Sequence, residues 1–297
     1  MLKLVEKKIQ NYIEDLRDRR AKELYSNLPL GKRLRAKLIL KIAGSTREAI
    51  DLAAIIEMIH VASLLHDDVI DDADTRRGVA SINATEGNKT AIMLGDILYS
   101  KAFFELTKFN QDISKVVSNA VTLLSIGEMM DVELTKSFNT EIDLYLDMIY
   151  KKTASLIEAS AKSAAILANK DSNSYALYGK NLGLAFQIVD DILDIISDSK
   201  TLGKPSMNDF KEGKTTLPYI YLYNSLNEKD KKRLLLMFKK DLNEDEKAWI
   251  KNMMIKTNAI KRSREFAKRL GYKALEVIDK ESVELKEIMK NLIDREY

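Results

Sequence analysis

At 297 residues the chain is long enough for a compact domain to hide roughly 75% of the surface its unfolded form exposes, so no covalent staples are needed. Its 48 Lys and Arg nearly balance 45 Asp and Glu, and the net charge of +3 gives no support to a nucleic-acid partner. There is no Cys, which excludes a disulfide framework, a zinc-thiolate site and a thiol nucleophile, and a reducing, cytoplasmic location is expected.

The first segment, MLKLVEKKIQNYIEDL, is charged and amphipathic and lacks the apolar core of a signal peptide. No apolar run approaches ~18 uninterrupted residues, so no membrane span is expected. Only Pro29, Pro205 and Pro218 interrupt the chain, and glycines number 11. So few breakers predict an all-α protein, a single-domain helical bundle over 1–297. Helices are expected at 1–27, 33–43, 46–72, 89–109, 111–136, 141–168, 172–197, 214–226, 228–239, 243–254, 256–280 and 282–295. Ser45 or Thr46 is placed to cap the third, and Asp171 or Ser172 the seventh. Two long polar breaks, 73–88 and 198–213, stand out, because loops of that length in a compact bundle are usually functional or disordered. From about Asn227 the sequence is rich in Lys, Glu and Leu with both signs interleaved, which reads as solvated amphipathic helices.

The chemistry concentrates before those breaks. Asp67, Asp68 and Asp71 form one Asp-Asp-x-x-Asp cluster, and Asp190, Asp191 and Asp194 form another. Residues four apart share a helix face, so Asp67 pairs with Asp71 and Asp190 with Asp194. Two such acidic plates facing each other would cage hard divalent cations, and oxygen-only donors favour magnesium. The only histidines, His60 and His66, lie in the first of these helices. Glu57 and His60 have the Glu-x-x-His spacing of di-iron bundles, but a second such pair is missing from the sequence. His60 is better read as a donor to an anion, and His66 as a polar neighbour of the cluster. Cations gather nearby in sequence. Arg76 and Arg77 follow the first cluster, and Lys32 and Arg35 stand three apart near the N-terminus, on one side if that segment is helical. Lys152 lies in YKKTASL, and Lys204 and Lys214 lie in and after the second break. Together they suggest a site for two separate anions, one held through metals and one directly.

These motifs, in order, are GKRLRA at 31–36, HDDVIDDADTRRG at 66–78, GNKTAIMLGDILYS at 87–100, KTASL at 152–156, FQIVDDILD at 186–194 and GKPSMNDFKEGKTTLP at 203–218. Over nearly its whole length the chain resembles the trans-isoprenyl diphosphate synthases, the polyprenyl synthetase family. The resemblance implies a helical bundle with a central active-site cavity. It also implies condensation of isopentenyl diphosphate with an allylic diphosphate to an all-trans polyprenyl diphosphate, and a homodimer. By it, Asp67, Asp71, Asp190 and Asp194 hold magnesium, three ions with substrate bound, with Asp68 and Asp191 as indirect or partial ligands. Arg76, Lys152, Lys204 and Lys214 contact the allylic diphosphate. Lys32, Arg35, His60 and Arg77 hold isopentenyl diphosphate, and Thr153 and Gln187 lie near the reacting carbons. Three positions depart from the family pattern: Ala36 where Pro is frequent, Met207 where Gly is frequent, and Asp131 where Gln is common.

In this family the residues just before the first cluster floor the product pocket. Here they are the small Ala62 and Ser63. With a rise of ~1.5 Å per residue they lie about one turn below the metals, which leaves room for a product of about C30 to C40, octaprenyl diphosphate being the named expectation. A deeper floor is expected at Phe103 and Phe104, with Leu123, Leu124 and Met129 opposite. A long apolar product also implies transient contact with a membrane surface, and quinone side-chain synthesis is a natural destination. Three other readings stay open: a shorter-chain synthase, a class I terpene cyclase and a non-catalytic subunit. The cyclase would need one diphosphate only and a mixed Asn/Ser/Glu second motif. The subunit could lose aspartates that this chain retains.

Overall fold

The computed structural model of the chain describes residues 1–196, 207–278 and 282–294. Those residues are helical apart from one two-residue hairpin and connecting turns, as an all-α fold requires. The chain forms two compact units. One comprises Met1–Thr122 and Leu156–Ala176, the other Leu123–Ser155 and Leu177–Tyr297.

In the first unit, α1 (Leu2–Glu14) buries Val5, Ile9, Tyr12 and Ile13, an i, i+4, i+7 stripe that faces the core. The predicted helix over 1–27 is broken. Arg17 takes a left-handed backbone, and Asp18 caps α2 (Arg19–Ser26) by accepting from the N–H of Ala21 at 2.7 Å. After α3 (Leu34–Ala43), Thr46 caps α4 (Arg47–Ile70) through the N–H of Ala49. Most of α4 is apolar on every side, and Leu52 through Ile59 are all buried. It packs on α1, α3 and α6 (Asn88–Leu106). Among the described residues it is the one helix long and apolar enough to cross a membrane, but more than half of that stretch is buried inside the protein. The first polar break is not structureless. It holds β1 (Thr75–Arg76) and β2 (Val79–Ala80), paired antiparallel, and α5 (Ile82–Glu86).

Two helices run through both units: α7 (Gln111–Leu134) and α10 (Ser172–Ile196). In α10, Asp171 accepts from the N–H of Asn173 and the hydroxyl of Ser174 and so closes the helix start. The second unit also carries α8 (Ile142–Ile149), which runs directly into a π-helical turn at Tyr150–Ala154, while α9 (Ser155–Leu167) belongs to the first unit from Leu156 on. The π turn is pinched by glycines. A Cβ on Gly127 of α7 would lie 2.2 Å from the backbone N of Lys152, and one on Gly183 of α10 would lie 2.5 Å from Cα of Ala154. Only hydrogen at these positions lets both helices approach the turn.

Beyond α10 come α11 (Asn208–Lys211), α12 (Leu217–Ser225), α13 (Glu228–Met237), α14 (Glu244–Lys256), α15 (Ala259–Glu276) and α16 (Val283–Ile293). The predicted helix from 214 begins instead at Leu217, with Pro218 in the first turn, where its missing N–H is harmless. Asn243 and Glu246 form a capping box on α14. The amphipathic α15 buries Ala259, Ser263, Ala267, Gly271 and Ala274 against α12 and α16 and turns its basic residues outward.

Candidate active site

In the first unit, α4 ends in the first acidic cluster. Asp71 caps the helix, its N–H bonding to the carbonyl of Asp67 at 2.8 Å. Asp68 is buried, Asp67 is half-buried and Asp71 is exposed. Arg76, placed by β1, reaches back to these acids. Its Nε donates to Oδ1 of Asp68 at 2.7 Å, and an Nη donates to Oδ2 of Asp67 at 3.0 Å. Burial pushes the Asp68 carboxyl up, although Arg76 opposes the shift. Sequence reasoning gave Arg76 only to an anion. In the structure it is the counter-cation of the acidic cluster.

A cationic nest surrounds His60, about two helical turns before the acids. Burial, then Arg35, Arg77, Arg76 and Arg33, push the imidazole well below its usual 6.5, so it stays neutral. Burial also lowers the Arg35 guanidinium to about 10, and its sealed Nε has no hydrogen-bond partner. Buried donors are normally satisfied, so a guanidinium with its Nε left unpaired beside a neutral imidazole is fitted to receive an anion. Arg77, in a left-handed conformation, lays its guanidinium against Gly31, where an added Cβ would come within 2.8 Å of it. Lys32 is exposed and precedes α3, with Arg33 left-handed between them, so Lys32 and Arg35 do not share a helix face as the spacing suggested.

Sequence reasoning missed the support beneath this nest. Arg33 is buried and pairs with Glu6 and, at 3.3 Å, with Glu57. The other oxygen of Glu57 accepts from the N–H of Ala36 at 2.9 Å. Proline at position 36 would remove that donor.

Below the acids, Ala62 is fully buried and Ser63 bonds its hydroxyl to the carbonyl of His60. His66 lies near the carbonyl of Ile92 at 3.1 Å and packs on Gly95, Tyr99 lies tilted beside it, and Phe103 stacks on Tyr99. The expectation that Phe104 floors the pocket fails. Its ring is 61% exposed and lies under the ammonium groups of Lys101 and Lys108, because it falls on the outer face of α6. Met129 is likewise exposed, while Leu124 is buried.

In the second unit, residues of α7, α8, the π turn, α10 and the segment 209–216 line a cavity of about 120 Å³. The π turn presents Lys152 and Thr153 to it. Lys152 pairs with Asp131 at 2.6 Å and with Glu128 at 3.0 Å. Asp131 is buried, and a Gln there would leave the ammonium without that charge. The hydroxyl of Thr153 donates to Oε1 of Gln187 at 2.9 Å. Nε2 of Gln187 donates to Oδ1 of Asp191 at 2.9 Å, and Oδ2 of Asp191 accepts from the phenol of Tyr145 at 2.5 Å. Burial drives both the Asp191 carboxyl and the Tyr145 phenol well up, and the two hydrogen bonds to Asp191 work against its shift.

Asp190 is exposed on α10, and Asp194 is buried, with an oxygen 3.3 Å from the N–H of Asp209. Asp209, overlooked in the sequence, also lines the cavity, as does Lys214, whose ammonium lies 2.9 Å from Glu212. Met207 is buried and left-handed, with its N–H on the carbonyl of Asp194. A Gly there would adopt such a φ with less strain. Lys204 lies outside the described residues. Among the described residues no three His, Asp or Glu side chains converge on one point. The donors that both clusters offer are hard oxygens, and Asp71 and Asp190 are open to solvent, which fits a cation such as magnesium that retains its waters.

An all-helical scaffold with a cationic nest, two acidic clusters and a threonine-amide pair defines a helical protein whose polar sites suit anions and hard cations. Residues 19–254 match the model of the polyprenyl synthetase family, and the chain belongs to that family. It is 47% identical over 175 residues to solanesyl-diphosphate synthase 1 of Oryza sativa, a stretch covering 58% of this chain and 41% of the relative. It is 38% identical over 230 residues to the short chain isoprenyl diphosphate synthase of Methanocaldococcus jannaschii, covering 73% and 70%. The match thus spans about two fifths of the plant relative's length. Among solved structures, octaprenyl pyrophosphate synthase from Helicobacter pylori superposes with a TM-score of 0.95 at 45% identity, covering 99% of this chain and 98% of that one.

Proposed function

We propose that this chain is a magnesium-dependent trans-prenyltransferase that condenses isopentenyl diphosphate with an allylic diphosphate. The observation that carries the reading is the nest around His60, where the half-buried Arg35 guanidinium, its sealed Nε without a partner, waits beside a neutral imidazole. Arg35, His60, Arg77 and Lys32 bind the isopentenyl diphosphate. Lys152, Lys214, Lys204 and Arg76 contact and neutralise the allylic diphosphate, Arg76 from its place against the first acidic cluster. Asp67, Asp71, Asp190 and Asp194 would hold the magnesium ions, which when bound neutralise charge growing on the leaving group.

As the allylic C–O bond breaks, its electron pair leaves on the diphosphate oxygen. The double bond of isopentenyl diphosphate then attacks the allylic carbon. A proton is lost from the adjacent methylene to the departing diphosphate, so no side-chain general base is required. The cation is short-lived in water, and the acceptor dipoles of Thr153 and Gln187 stabilise it without trapping it.

Ala62 and Ser63 leave room for elongation, and likeness over the whole chain to an octaprenyl pyrophosphate synthase supports a product of about C30 to C40. A homodimer is supported by apolar side chains left exposed on α6 (Ile92, Met93, Phe104) and on α7 (Ile126, Met129, Val132), which need cover. The test is incubation with farnesyl and isopentenyl diphosphates and magnesium, followed by chromatography. A product near C40 is expected. Elongation that stops at about C20 overturns the long-chain assignment, and no product overturns the function.

A further inference from the structure

In the second acidic cluster, the middle residue is wired differently from its neighbours. Both carboxylate oxygens of Asp191 are committed inside the protein, Oδ2 to the Tyr145 phenol and Oδ1 to the Gln187 amide. Asp191 and Tyr145 are both buried, at 3% and 1% exposure, whereas Asp190 beside them is exposed. In the structure Asp191 accepts at both oxygens, and in its ionised form it can only accept, so it dictates which end of the Gln187 amide faces it. The NH2 end must point to Asp191, and Oε1 must then point to Thr153. Because Oε1 accepts, the Thr153 hydroxyl spends its proton there and keeps its lone pairs for the cavity. Without Asp191 the amide is free to turn over and present a donor, the wrong end of its dipole for a cation.

We propose that Tyr145 and Asp191 are positioning residues, which lock the Gln187–Thr153 pair with its acceptor oxygens toward the reacting carbons, and that Asp191 is not a metal ligand. This rests on the prenyl-transfer reading above and assigns a role within it. Tyr145 acts at one remove more: its hydroxyl fixes the carboxylate that fixes the amide.

The test compares purified full-length wild type, Tyr145→Phe, Asp191→Asn and Asp190→Asn. For each, kcat, KM for farnesyl diphosphate and the magnesium concentration for half-maximal rate are measured, with thermal unfolding as a check on folding. Tyr145→Phe keeps the ring and its packing, so it remains decisive if Asp191→Asn does not fold. The expected result is a fall in kcat of about tenfold for Tyr145→Phe and more for Asp191→Asn, with KM and the magnesium midpoint within about twofold of wild type. Asp190→Asn instead moves the magnesium midpoint. An unchanged kcat in Tyr145→Phe overturns the proposal, as does a magnesium midpoint displaced as far in Asp191→Asn as in Asp190→Asn. Inactive wild type would remove the underlying function, and this role with it; active wild type with either of the other two outcomes refutes the role alone.

Discussion

Gly127→Ala adds one methyl group where the structure has no space. The new Cβ would lie 2.2 Å from the backbone N of Lys152 and 2.7 Å from Cα of Lys152 and C of Lys151. Carbon contacts settle near about 3.5 Å, so α7 and the π turn must separate by roughly 1 Å. The neighbour is backbone, not a side-chain tip that can swing aside, so the upper part of the usual ~1–3 kcal/mol for overpacking applies. Alanine recovers about 1 kcal/mol of helix propensity, leaving a net loss of about 1–2 kcal/mol. The effect on rate should be larger. Lys152 and Thr153 ride on the displaced turn, and a misplacement of ~1 Å costs about 100-fold in catalysis. Urea unfolding gives the first quantity and steady-state turnover the second. A variant with the wild-type midpoint and a kcat within about twofold of wild type would show that the π turn does not need this close approach.

Three further outcomes follow from the first unit. Glu57→Gln leaves Arg33 facing an amide, and urea unfolding should show a loss of roughly 3 kcal/mol, the low end for a broken buried pair because Glu6 still holds the guanidinium. His60 is held neutral in the folded protein, while the unfolded chain takes up a proton near 6.5. The unfolded state therefore binds more protons below that value, and stability should decline as pH falls from about 7 toward 5.5, with a shallower slope in His60→Gln. Ala62→Phe fills a fully buried position below the first acidic cluster and should shorten the product seen on chromatography; an unchanged length would remove Ala62 from the pocket floor.

What could be read in advance depended on range. The long helices that carry both acidic clusters were legible because their apolar runs and the Asp spacing are local features of the chain. The cap at Thr46 was legible for the same reason. The break at Arg17 was not, since an amphipathic stripe continues across it and the left-handed residue leaves no mark in composition. Two-residue strands such as Thr75–Arg76 are too short to show alternation. The π turn reads as ordinary helix, and the glycines that let neighbours approach it closely, Gly127 and Gly183, lie on other helices. Arg33 and Glu57 lie 24 positions apart, so their pairing, and the reason Ala36 keeps its N–H, appear only once α3 and α4 are packed. Phe104 was misplaced because Phe103 and Phe104 are adjacent, and neighbours on a helix point about 100° apart: one can line an interior while the other faces out.

The most direct measurement is incorporation of labelled isopentenyl diphosphate into prenyl product as free magnesium is titrated upward from a chelated start. Turnover should be absent in chelator, rise saturably with magnesium, and shift to higher magnesium in Asp190→Asn. Undiminished turnover with the divalent cations stripped away would contradict a metal-holding role for both acidic clusters.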